Sequence, residues 1–127
     1  LERRREIIEM YDRALLPLGI QCLMHYCEDF ASSGHLYLVR IPGISEEQRN
    51  EIIIKMAEAG VACNVHYKPL PMFTAYKNLG FDIKDYSNAY NQYVNEITLP
   101  LHTLLSDEDV EYVCVCVKRI LDEILFI

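Results

Sequence analysis

The sequence is poor in the features that mark most catalytic machinery. Its five glycines, at positions 19, 34, 43, 60 and 80, are scattered, which excludes a glycine-rich loop whose backbone could approach a phosphate. No GxSxG stretch is present, so there is no nucleophile elbow. The four histidines, His25, His35, His66 and His102, share no HxxxH spacing, so a zinc-binding helix is excluded. The five cysteines are odd in number and contain no CxxC, which fits neither a disulfide framework nor a metal site. Cys114 and Cys116 stand two apart on an expected helix and face different ways. Cys22, Cys27 and Cys63 fall in strand-like apolar text and read as small buried hydrophobes. Free thiols imply a reducing compartment, hence the cytoplasm.

Positive charge is also scarce. Twelve Lys and Arg against nineteen Asp and Glu leave a formal net charge of −7, which argues against a nucleic-acid surface or an anionic membrane as partner. The one basic cluster, Arg3-Arg4-Arg5, lies between Glu2 and Glu6 and reads as a solvated helix face. No apolar run approaches the roughly 20 residues of a membrane-spanning helix. The opening "LERRREIIEM" reads as charged helix rather than as a signal peptide. Because it lacks an initial methionine, it also reads as a piece of a longer protein.

What is present suits one soluble domain: 127 residues, 51% hydrophobic and 24% charged, enough to bury a core. Ile7, Tyr11, Ala14 and Leu18, widened by Ile8 and Leu15, follow helical spacing. Pro17 stops that helix near Leu16. Residues 20–26 and 35–42 read as two strands of an antiparallel hairpin. "SEEQRNEIIIKMAEAG" predicts a helix with a Ser45–Gln48 capping box, an apolar face of Ile52, Ile53 and Met56, and Gly60 just past its end. Residues 61–67 predict a third strand, 72–79 and 86–96 two short helices, and "ITLPL" a brief strand. Ser106 then caps a final helix whose acidic first turn, Asp107 to Asp109, complements the helix dipole. Its expected buried face is Val110, Val113, Cys114, Val117, Leu121 and Ile124. The predicted class is α+β: a small, largely antiparallel sheet packed with helices, without an internal domain boundary.

The stretch "CNVHYKPLP" raises the functional question. His66 and Tyr67 end the predicted third strand, where a rigid sheet can aim binding groups into a loop stiffened by two prolines. Simple alternation sends the two side chains to opposite faces unless the strand breaks between them. In the plainer alternative His66 donates to a backbone carbonyl and Tyr67 packs on the loop. Lys68 reads as solvated, and His102 has a weaker claim of the same kind.

Several motifs in order resemble the C-terminal part of the DegT/DnrJ/StrS family of sugar aminotransferases, which use pyridoxal phosphate. "RRREIIEMYDRAL" is similar to that family's arginine-led helix, "HLYLVRIPG" to its histidine-led strand, and "ITLPLHTLLSDEDVEYV" to its ending. "MAEAGVACNVHYKPLPMFTAYKNLGF" is similar to its helix–strand–"HY"–proline–leucine–aromatic segment. The family often carries histidine after the proline–leucine pair, where this chain has Pro71. The resemblance implies that residues 1–127 are the small domain of a fold-type I aminotransferase, covering the active-site mouth. His66 and Tyr67 would contact a sugar-nucleotide substrate, with an amino acid, glutamate, as donor. It further implies pyridoxal 5'-phosphate held by a separate large domain, none held by this chain, and a homodimeric enzyme. Some relatives without the Schiff-base lysine are dehydratases. A free-standing ligand-binding or regulatory module and a dimerisation domain are the other readings.

Overall fold

A computed structural model describes residues 1–125. Two helices from opposite ends of the chain, α1 (Glu2–Leu15) and α5 (Asp107–Leu125), pack together, and α2 (Glu46–Glu58) joins α5. Three short strands complete the core: β1 (Gln21–Cys22), β2 (Tyr37–Arg40) and β3 (Glu96–Leu99). They form an antiparallel sheet in the order β1-β2-β3, with Tyr37 opposite Leu99 and Arg40 opposite Glu96. Between α2 and β3 lie two small helices, α3 (Thr74–Asn78) and α4 (Ser87–Val94). The class is α+β, as the alternation of patterns predicts.

Local signals act where they are read. α1 stops at Leu15, and the chain leaves through one tighter turn at Leu16–Leu18. Its buried face is Ile7, Ile8, Tyr11 and Leu15, while Ala14 and Leu18 of the expected stripe are exposed. Ser45 and Gln48 form the reciprocal capping box of α2, with backbone-to-side-chain bonds of 3.1 and 2.9 Å. Gly60, at φ +87°, takes the left-handed conformation that ends the helix. Ser106 and Asp109 cap α5 in the same reciprocal way, both bonds at 3.0 Å. The buried side of α5 is Val110, Val113, Cys116, Val117, Ile120 and Leu121. Cys116 is thus the core thiol, while Cys114 and Ile124 are half-buried at the edge of the stripe.

Two predicted strands are cut short. Residues 20–26 pair only at Gln21 and Cys22, after which Leu23 and Met24 turn outward and Tyr26 makes an isolated bridge to Ala31. Cys27, expected in apolar packing, is exposed. The backbone of residues 61–67 pairs with β3 only at the Asn64–Thr98 bridge. From Ala62 to Gln92 no residue is buried. This long arm stands on the core and adds only the half-buried Cys63 to its edge.

Candidate functional site

The site begins with the way residues 61–67 leave the sheet. Asn64 and Thr98 exchange both backbone bonds, at 3.1 and 2.8 Å. The next ladder step brings His66 opposite Glu96. There the His66 backbone N–H donates to the Glu96 carboxylate, Oε2 at 2.9 Å. A side chain has replaced the ladder bond, and the segment peels away.

Glu96 is 1% exposed and Thr98 6%. Positions i and i+2 of one strand share a face, so both side chains point to the His66 side of β3. The Thr98 hydroxyl donates to Glu96 Oε1 at 2.8 Å, and His66 Nδ1 lies 2.7 Å from Thr98 Oγ1. Burial pushes the Glu96 carboxyl up from its ordinary pKa. The bonds from the His66 backbone and from Thr98, and more weakly the nearby charge of Arg49, oppose that rise. Arg49 is itself only 1% exposed. Its guanidinium donates to the Tyr93 carbonyl at 2.6 Å and to Asn50 Oδ1 at 2.8 Å, and it lies 4.6 Å from the centre of the Tyr93 ring.

The two residues singled out in the sequence lie together. Their ring centres are 4.5 Å apart, edge to face, where simple alternation would have separated them. His66 is half-buried, whereas Tyr67 is 73% exposed. The ring of His66 bonds a hydroxyl rather than a backbone carbonyl, and Tyr67 projects to solvent. Beyond them Lys68 is exposed, its amine 5.3 Å from the Phe73 ring centre. An apolar hollow of about 380 Å³ follows, lined by Pro69, Pro71, Tyr76, Phe81 and Tyr86 among others. His102 is exposed beside Asp109 and Tyr112 and takes no part in this network. His25 is buried, 3.0 Å from the Ser32 hydroxyl.

Sequence reading missed Glu96, Thr98 and Arg49. The helical pattern of residues 86–96 places Glu96 at a helix end, although its position two residues before Thr98 in "NEITLP" is a usable sign of a shared strand face. Arg49 carried no sign, because an arginine in a polar first turn reads as solvated.

The chain's amines do not suit a Schiff base. Lys68, Lys77, Lys84 and Lys118 are exposed, and Lys55 is half-buried at 3.6 Å from Glu123. None sits in the enclosed apolar setting that lowers an amine's pKa for imine chemistry. These residues do not fit the carbonyl end of pyridoxal phosphate, and among the described residues no group of metal-binding side chains occurs.

Comparison with known proteins adds the context. The model of the DegT/DnrJ/EryC1/StrS aminotransferase family matches residues 1–118. The Spr1654 protein of Streptococcus pneumoniae, described as a sugar aminotransferase and solved in apo, PLP and PMP forms, is similar. Its apo form superposes with a TM-score of 0.95 at 50% identity, over 98% of this chain and 31% of that one. A UDP-4-amino-4,6-dideoxy-N-acetyl-beta-L-altrosamine transaminase of Campylobacter jejuni is 31% identical over 98% of this chain and 33% of its own length. SpsC of Bacillus subtilis, a spore coat polysaccharide biosynthesis protein, is 31% identical over 94% of this chain and 31% of its own length. The chain therefore spans about a third of the relatives it matches. With nearly its whole length matched by the family model, the chain belongs to the DegT/DnrJ/EryC1/StrS aminotransferase family.

Proposed function

We propose that this chain is the C-terminal small domain of a pyridoxal phosphate-dependent sugar aminotransferase, and that it covers the active-site mouth. The enzyme moves an amino group from an amino acid, glutamate, to a keto-sugar nucleotide. The donor leaves as its 2-keto acid, and the sugar carbonyl becomes an amine. The Campylobacter relative takes its name from a UDP-linked 4-amino sugar, which makes a UDP-linked 4-keto sugar the model acceptor. When bound, the cofactor supplies the electron sink. The lysine placement supports its being held by protein other than this chain.

The observation that carries this reading is the match of almost the entire chain to sugar aminotransferases at up to 50% identity. The arm from Ala62 to Gln92 supports the covering role. It buries none of its own residues and exposes Tyr67, Leu70, Phe73, Leu79 and Tyr86, a density of apolar surface typical of faces that meet other protein or ligand. His66 and Tyr67 contact the sugar nucleotide from the root of this arm, where a proline-stiffened loop lowers the entropy lost on binding. The free cysteines support the cytoplasm as its place of action, and a homodimer is the assembly the family resemblance implies.

The test is made in the aminotransferase that carries this chain. His66→Ala and Tyr67→Phe should leave the cofactor absorbance and the glutamate half-reaction unchanged. Each should weaken use of the sugar nucleotide by about 1–3 kcal/mol, the loss of a buried hydrogen bond. Wild-type kinetics in both variants would refute the assignment. Water elimination from the sugar in place of amino transfer would make the enzyme a dehydratase.

A further inference from the structure

The hydrogen bonds around His66 fix more than its position. The Thr98 hydroxyl owns a single hydrogen, and toward an ionised Glu96 that hydrogen goes to Oε1 at 2.8 Å. Toward His66 the same oxygen can then only accept, so the 2.7 Å contact requires a proton on Nδ1. The second carboxylate oxygen takes the His66 backbone N–H at 2.9 Å. One buried carboxylate thus holds both the backbone and, through Thr98, the ring of the same residue. Glu96 and Thr98 are buried while His66 is half-buried, so the chain of bonds runs outward from the core and ends at the ring's far nitrogen.

We propose that Glu96 and Thr98 are positioning residues that lock His66 in the Nδ1–H tautomer, so that its bare Nε2 accepts from a hydroxyl or amino group of the sugar and does not contact the diphosphate. The proposal rests on the substrate-binding role given to His66 above and names the part of the substrate it meets. A neutral imidazole nitrogen without a proton offers a lone pair. Phosphate oxygens offer only lone pairs, so the two repel, whereas a sugar O–H or N–H completes the bond. Discrimination of this kind is strong, because a buried acceptor left without its donor pays its full desolvation.

Two measurements separate the parts of this proposal. Nitrogen-15 NMR of the histidine rings in the chain needs no ligand. At a pH where His66 is neutral, its Nδ1 should resonate as the protonated nitrogen and its Nε2 as the bare one. Thr98→Ser should keep that pattern, and Thr98→Val should shift the population toward Nε2–H. An Nε2–H majority in the unaltered chain overturns the relay, as does a Thr98→Val spectrum that does not move. The unaltered chain alone decides the matter if Thr98→Val does not fold. In the complete aminotransferase, binding of UDP is then compared with binding of a UDP-4-keto sugar. His66→Ala should weaken the sugar nucleotide at least tenfold and leave UDP within twofold. Equal weakening of both ligands overturns the sugar contact in favour of the diphosphate. No weakening of either shows that His66 is not at the substrate at all, an outcome that defeats the functional reading while the NMR result still judges the relay.

Discussion

Arg49 shows how a residue can contradict its sequence context. It sits in the first turns of a polar helix, yet its guanidinium is enclosed by the Tyr93 ring, the Tyr93 and Glu96 carbonyls and Asn50. Its charge also favours ionised Glu96, but less than the bonds that carboxylate receives from the His66 backbone and Thr98. Arg49→Met should cost about 1–3 kcal/mol of stability, because it leaves the buried Tyr93 and Glu96 carbonyls without this donor. Arg49→Lys should recover little, since one ammonium cannot reproduce the planar fork of donors. Urea unfolding of the chain measures both. His25 predicts a pH effect. Burial lowers its pKa below 6.5, partly opposed by Asp12. The folded state therefore resists a proton that the unfolded chain accepts. Above about pH 6.5 His25 contributes no pH dependence, and as pH falls below that value stability is progressively lost. His25→Gln should flatten this part of the profile, read as the urea midpoint between pH 7 and 5.

At the scale of elements, what was legible was local. The capping box at Ser45, the glycine at position 60 and the proline at position 17 act within a few residues of themselves: the first starts a helix and the other two end one, each within a residue of its expected place. Ser45→Ala should cost about 1 kcal/mol, the usual worth of an N-cap, checked by thermal unfolding. α5 invites a sharper comparison. Ile120→Ala, on the buried stripe, should cost about 2–5 kcal/mol. Val115→Ala, at a position 64% exposed, should stay within about 0.5 kcal/mol. The strands were less legible. Apolar text ran over residues 20–26 and 61–67, but a strand exists only where a partner lies opposite. Partners lie opposite Gln21, Cys22 and Asn64, with one isolated bridge more at Tyr26.

For the molecule as a whole, stability is divided unevenly. α1, α2, α5 and the sheet share one continuous core, whereas the arm from Ala62 to Gln92 contributes no buried residue. Amide hydrogen exchange should reflect that division. Helical and strand amides of the core should open only with global unfolding, while amides of residues 68–86 exchange orders of magnitude faster. Uniform protection across both regions would contradict it. The same division has functional sense, because the site residues lie at the junction: His66 is tied to the core by Glu96 and Thr98, and Tyr67 projects from it.

The sequence alone determined the helices, their caps and the α+β class, and it raised His66 and Tyr67 as candidates. These depend on periodicity and on contacts within a few residues, which a linear text records directly. Only the tertiary structure decided that Glu96 and Thr98 stand behind His66, that Arg49 is enclosed, and that residues 61–67 meet the sheet at one pair. Those facts depend on register between segments some 30 to 50 residues apart. Such register is set by how the whole core packs, and no short-range pattern carries it.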